Sequence, residues 1–205
     1  MSPNQRNFSN REVVESGFSG NMQEALRYLD STEDVARAYA FGALCRMDSL
    51  EIDHLTAALT DPSPLVRRRA LLAIPDRWGG DFDAEIDLPS RLRDTDASIL
   101  EVACYVAGEC DPTTEAILDR LEEIAQHHDE DLCRESAVAA LGSLGQQRSA
   151  PIVVRACSDR PTIRRRAVLA LVAFDGPEVD KMLRELTKDT DWQVRQAAEE
   201  LLSIE

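Results

Sequence analysis

The stretch Asp61-Pro62-Ser63-Pro64-Leu65-Val66-Arg67-Arg68-Arg69-Ala70-Leu71-Leu72-Ala73-Ile74 holds a pattern that the chain rewrites along its length. Its sparse form is Asp, a few loop residues, an aliphatic, Arg, two variable positions, Ala, two more, then Ala-aliphatic. The form returns from Asp159, where Ile163, Arg164, Ala167, Ala170 and Leu171 fill the slots. It returns again with Cys133, Arg134, Ala137, Ala140 and Leu141. The first Ala of each copy gives the anchors Ala40, Ala70, Ala103, Ala137, Ala167 and Ala198, spaced 30, 33, 34, 30 and 31 residues apart. A period of this size marks a solenoid of stacked units, none of which can bury its apolar face alone. Three residues before the anchor stand Arg37, Arg67, Leu100, Arg134, Arg164 and Arg195, so five of six copies place Arg there.

Each copy reads as two helices, a first helix A and a second helix B that carries the pattern. Residues Met22, Leu26 and Leu29 mark the first A helix, and Ile52, Leu55 and Leu59 the second. Residues Ile117, Leu118, Leu121, Ile124 and Ala125 mark the fourth, and Val179, Met182, Leu183 and Leu186 the sixth. Pro89 and Pro151 fit the starts of the third and fifth, and Pro112, Pro161 and Pro177 also fit helix starts, where the missing N–H costs nothing. The B helices are expected at 34–46, 63–75, 97–109, 131–144, 161–174 and 191–203. A loop Asp precedes each of them: Asp30, Asp61, Asp94, Asp129, Asp159 and Asp189. These carboxylates can cap amides or accept from the repeat's Arg. The Arg and Asp columns therefore predict a structural ladder of Arg37, Arg67, Arg134, Arg164 and Arg195 between neighbouring repeats.

Composition narrows the class. Hydrophobic residues make up 43% of the 205 residues and aromatics only 5%, so Ala and Leu must do most of the packing. The formal charge of −15 repels nucleic acid and anionic membranes. The longest apolar run, Ala167 to Phe174, has eight residues. A bilayer span needs about 20. No apolar segment follows Met1 that would suggest a secretory signal, and the five Cys form no CxxC pair. A cytoplasmic protein with buried, reduced thiols is expected. Residues 1–18 read as an N-terminal tail with a short helix near Ser9–Ser16, and 19–205 as the repeat domain.

Paired helices of about thirty residues with D-x(n)-V-R-x-x-A-x-x-A-L resemble HEAT repeats, in particular the short class of phycobilin-lyase-like proteins. The resemblance covers residues 19–203. It implies an all-α, right-handed α-solenoid of about six helix pairs whose B helices line the concave face. It leaves function open, because the class includes scaffolds, chaperone-like factors and a few enzymes.

Positions two before and two after each anchor share a face one helical turn apart. They gather Arg68, Leu72, Glu101, Tyr105, Glu135, Arg165 and Leu169, a mixture of exposed apolar and charged groups suited to a protein partner. The loop with Trp78 and Phe82 is a second candidate, either anchoring a partner or plugging the gap beside the weak third A helix. Trp192 is expected to cover the end of the stack. The triplets Arg67-Arg68-Arg69 and Arg164-Arg165-Arg166 invite a phosphate reading. The chain's acidity favours ladder and acid-paired roles for them instead. The run His127-His128-Asp129-Glu130-Asp131 lacks helical ligand spacing and reads as a capping loop, and His54 shows no obvious partner. The resemblance also brings to mind iron-binding HEAT-like hydroxylases, which use His-Glu pairs. No His here is followed by Glu. No catalytic residue, metal or cofactor is expected. The leading expectation is a non-enzymatic scaffold whose partner carries basic patches. An accessory of the bilin-lyase type and a nucleic-acid binder are the alternatives.

Overall fold

The computed structural model describes residues 21–75 and 86–203, and no strand occurs among them. The expected helix near Ser9–Ser16 and the Trp78–Phe82 loop lie outside the described residues. The chain divides into two compact units on either side of Ile74. The first unit holds α1 (Met22–Leu29), α2 (Asp34–Arg46), α3 (Ile52–Leu59) and α4 (Pro64–Leu72). The second holds α5 (Leu88–Arg91), α6 (Ala97–Gly108), α7 (Glu115–His127), α8 (Asp131–Leu144), α9 (Ala150–Ala156), α10 (Pro161–Ala170), α11 (Pro177–Leu186) and α12 (Trp192–Leu202). Odd-numbered helices are the A members and even-numbered ones the B members.

Local chemistry sets the boundaries. Proline occupies the first turn of α4, α5, α9, α10 and α11, where no amide partner is lost. Asp96 caps α6 by accepting from the Ser98 amide at 2.9 Å, and Asp191 caps α12 by accepting from Gln193 at 2.9 Å. Gly145, with φ of 58°, ends α8 in the left-handed conformation that glycine adopts without a Cβ clash. Pro112 departs from its expected place at a helix start. It lies ahead of α7, whose N-cap is Thr114, accepting from the Ile117 amide at 3.3 Å.

The six anchor alanines are all 0% exposed. A side chain as small as a methyl lets neighbouring helices approach closely. Within the second unit α8 packs most extensively, against α6 on one side and α10 on the other. Glycines bring these backbones into contact. A Cβ on Gly108 would lie 3.0 Å from Ala140 Cα, and one on Gly142 would lie 2.6 Å from Ala170 Cβ and 3.0 Å from its Cα. The buried stripe of α1 differs from expectation. Ala25 and Tyr28 are its buried residues, whereas Met22 is 45% exposed. Tyr28 packs with Ala36 and Ala40 of α2, and its ring covers the small side chains there.

Candidate functional site

The Arg column is consumed by the fold. Arg37 donates from Nε and Nη2 to the two Asp61 carboxylate oxygens at 2.7 and 2.8 Å. Arg164 makes the same fork onto Asp189 at 2.9 and 2.8 Å, and Arg134 onto Asp159 at 3.0 and 3.1 Å. In each case the acceptor belongs to the loop of the following repeat. Each Arg also donates Nη1 to a carbonyl of its own loop: Ser31 for Arg37, His128 for Arg134 and Asp159 for Arg164. Arg67 donates in the same way to the Asp61 carbonyl at 3.0 Å, and Arg195 to that of Asp189 at 2.7 Å. Planar, two-pronged donation of this kind suits guanidinium and not ammonium.

The receiving carboxylates hold their own loops as well. Asp61 accepts from the Ser63 amide at 2.8 Å and Asp189 from the Asp191 amide at 2.7 Å. The hydrogen bond from Arg37 holds the Asp61 carboxyl below the ordinary carboxylate range, and Arg164 does so for Asp189. Burial pushes Asp159 up, but the bond from Arg134 and the Arg160 amide outweigh it and hold this group low too. The third copy, with Leu100 in the Arg slot, has no guanidinium to offer the next loop. There Asp129 is exposed, and Leu100 is buried in the core instead.

The second Arg triplet is paired throughout, Arg164 with Asp189 as above. Arg165 donates to Asp191 at 2.6 and 2.9 Å, and Arg166 lies 3.5 Å from Glu135. Arg69 rests against Gly42 with its guanidinium carbon 5.9 Å from the Tyr39 ring centroid.

The face formed two before and two after the anchors is open. In the second unit Tyr105 is 52% and Leu169 54% exposed, Arg165 is exposed, and Glu101 and Glu135 are half-buried. A cleft of about 390 Å³ lies among Tyr105, Glu109, Glu135, Ser143 and Arg166. A second, of about 260 Å³, shares Glu135 and Arg166 and adds Arg165 and Leu169. A third, of about 240 Å³, continues from Arg165 and Leu169 to Trp192, Gln196 and Glu200. The shared walls make one run across α6, α8, α10 and α12. Trp192 is 61% exposed and belongs to this run. Arg68 and Leu72 lie in the first unit, both exposed, beside a separate cleft between α2 and α4.

Sequence reasoning missed two features. His54 has a partner: its Nδ1 accepts from the Glu51 amide at 3.2 Å and closes the first turn of α3. Glu51 and His54 take the two places of a capping box without the usual Ser/Thr-x-x-Glu/Gln residues, so the sequence held no plain signal for it. Arg148 bonds Glu115, Asp119 and Glu122 together on the A-helix side of the second unit. The elements are 26 to 33 residues apart in sequence, and only the stacking of α7 against the turn before α9 joins them. His128 accepts from the Glu130 amide at 3.1 Å, and among the described residues no group of three His, Cys, Asp or Glu side chains is arranged to hold a metal. Four of the five free thiols are buried. Burial pushes Cys157 up to about 12 and Cys133 to about 11, so neither is a nucleophile at neutral pH.

The HEAT-repeat family model matches residues 52–142 and 118–203. The chain belongs to the HEAT-repeat family. Its fold is all-α, an α-solenoid of HEAT-like helix pairs. Solved structures of similar fold include YibA of Escherichia coli, 14% identical with a TM-score of 0.67 over 98% of this chain and 77% of that one. The complex of CpcE and CpcF of phycocyanin lyase from Nostoc sp. PCC7120 is 18% identical, with a TM-score of 0.59 over 98% of this HEAT chain and 79% of that chain. A designed armadillo repeat protein in complex with the peptide (KR)4 is 13% identical, with a TM-score of 0.54 over 96% and 99%. Likeness at these identities concerns the fold. No curated protein matches the sequence. No helix among the described residues is long and apolar enough to cross a membrane.

Proposed function

We propose that this HEAT-repeat chain is a non-enzymatic, cytoplasmic scaffold that binds a protein segment along the B-helix face of its second unit. The observation that carries this reading is the exposure of Tyr105, Leu169 and Trp192 along one continuous run of clefts. Large apolar side chains left in water at the centre of a groove are the usual anchors of an interface. Glu109, Glu135 and Glu200 line the same clefts, and the chain as a whole carries −15. The partner segment is therefore basic and apolar in alternation, with its apolar side chains on the Tyr105, Leu169 and Trp192 positions. The designed armadillo protein with the (KR)4 peptide has a similar fold and a partner of this charge.

The test is calorimetric titration of the full chain with a peptide alternating Arg and Leu. Binding that weakens with salt is expected. Tyr105→Ala with Leu169→Ala should weaken it by about tenfold or more, or ~1.4 kcal/mol. Equal affinity in wild type and double variant would remove the groove from the interaction.

The bilin-lyase reading rests on the fold shared with CpcE and CpcF over nearly the whole chain. It predicts that the purified protein shifts the absorbance of an added bilin. A spectrum identical to that of the free pigment would dispose of it.

A further inference from the structure

The first unit carries a cleft of about 400 Å³ of its own, between α2 and α4. Gly42 and Cys45 form one wall, and Leu65, Arg68, Arg69 and Leu72 the other. Leu65 is 45% and Leu72 41% exposed, so both apolar side chains face open space. Arg68 is exposed, and among the described residues neither it nor Arg69 has a carboxylate partner. In the second unit the corresponding side chains, Arg165 and Arg166, have Asp191 and Glu135. Two guanidiniums without a carboxylate partner among the described residues thus stand beside two exposed leucines, a combination that suits an acidic and apolar ligand.

Arg69 is also held in place. A Cβ on Gly42 would stand 2.6 Å from its Nε and 2.7 Å from its Nη2, so the glycine is what admits the guanidinium at that spot. Fixing the donor in advance lowers the entropy that binding must offset.

We propose that this cleft docks an acidic segment of a partner protein. An aliphatic side chain of the segment lies between Leu65 and Leu72, and its flanking carboxylates meet Arg68 and Arg69. The apolar walls favour such a segment over a free phosphate, which gains nothing from Leu65 or Leu72. The charge of −15 opposes a long polyanion such as nucleic acid far more than a short segment with a few carboxylates. The proposal does not rest on the groove of the second unit, which selects the opposite charge.

The experiment uses the full chain and a dye-labelled peptide of repeating Glu-Glu-Leu, read by fluorescence anisotropy. Binding at low salt is expected, with at least a tenfold loss in Arg68→Glu. The charge-matched variant Lys188→Glu, on an exposed loop of the second unit, should bind as wild type does. Gly42→Ala keeps the net charge. The three atoms nearest its methyl all belong to the guanidinium end of Arg69, so the fold should be retained while the guanidinium is displaced and affinity falls several-fold. The half-exposed thiol of Cys45 supplies a second readout, because bound peptide should slow its alkylation by iodoacetamide. Absence of binding at low salt would overturn the proposal. So would equal binding of a Glu-Glu-Ser peptide, an equal loss in Lys188→Glu, or displacement of the peptide by millimolar inorganic phosphate.

Discussion

Arg164 shows how a residue that reads as a binding group becomes a structural one. Its side chain and that of Asp189 are 16% and 12% exposed, and the pair shares two hydrogen bonds. Arg164→Ala leaves Asp189 half-buried with only its loop amide, and should cost about 2 kcal/mol of unfolding free energy. Asp189→Ala should cost a similar amount, because it also frees the Asp191 amide. The double variant should lose less than the sum, with a coupling of about 1 kcal/mol by urea denaturation. Strict additivity would mean that the fork contributes nothing beyond its separate ends. The recurrence of Arg three before the anchor was legible in the sequence, as was the Asp before each B helix. The fates of the other triplet members were not legible. Arg165 meets Asp191 and Arg166 meets Glu135 across repeats, and those distances depend on helix phase, which no local pattern fixes. Arg68 carries the same local sequence signal as its neighbours, yet only the structure leaves it free of a carboxylate among the described residues.

At the level of helices the sequence was most informative where a period and a stop signal coincide. The expected 34–46 and 131–144 match α2 and α8 in full, since Ala-rich packing and a loop Asp frame both. The end of the fifth B helix was less legible: α10 ends at Ala170, and Leu171–Ala173 tighten into a 3₁₀ turn. The 3.6-residue pattern does not distinguish the two over so short a stretch. Gly108 and Gly142, five residues after the anchors Ala103 and Ala137, went unread. They nevertheless meet Ala140 and Ala170 of the next B helix, each three after its own anchor. This column predicts a contrast between two glycines. Gly142→Ala drives a methyl into Ala170 of α10, including its backbone, and should destabilise the protein by roughly 1–3 kcal/mol. Gly42→Ala meets a side-chain terminus and should cost well under half as much. The difference in thermal midpoint between the two variants decides it; equal losses would show that the helices can slide apart to admit a methyl.

For the molecule as a whole, two electrostatic effects oppose each other as pH falls. The charge of −15 at neutral pH means self-repulsion, which protonation of ordinary surface carboxylates relieves. Against this stand Asp61, Asp159 and Asp189, whose carboxyls are held below the ordinary range in the folded state. A group depressed on folding contributes stability that is complete above its unfolded pKa, about 3.9 for Asp, and is lost as pH drops through its folded value. The ladder is thus fully intact from pH 7 down to about 4, the range in which repulsion fades. The urea midpoint should hold or rise between pH 7 and about 5, then fall steeply below about 4. The three junctions that carry the Arg–Asp fork share this behaviour because the same pair is copied at each. A variant with Arg134→Ala and Arg164→Ala should be less stable at pH 7, yet should lose less on acidification, since Asp159 and Asp189 then titrate nearer their unfolded values. Parallel curves for wild type and variant would place the acid sensitivity outside the ladder, and a midpoint that declines steadily from pH 7 would show that neither effect governs the fold.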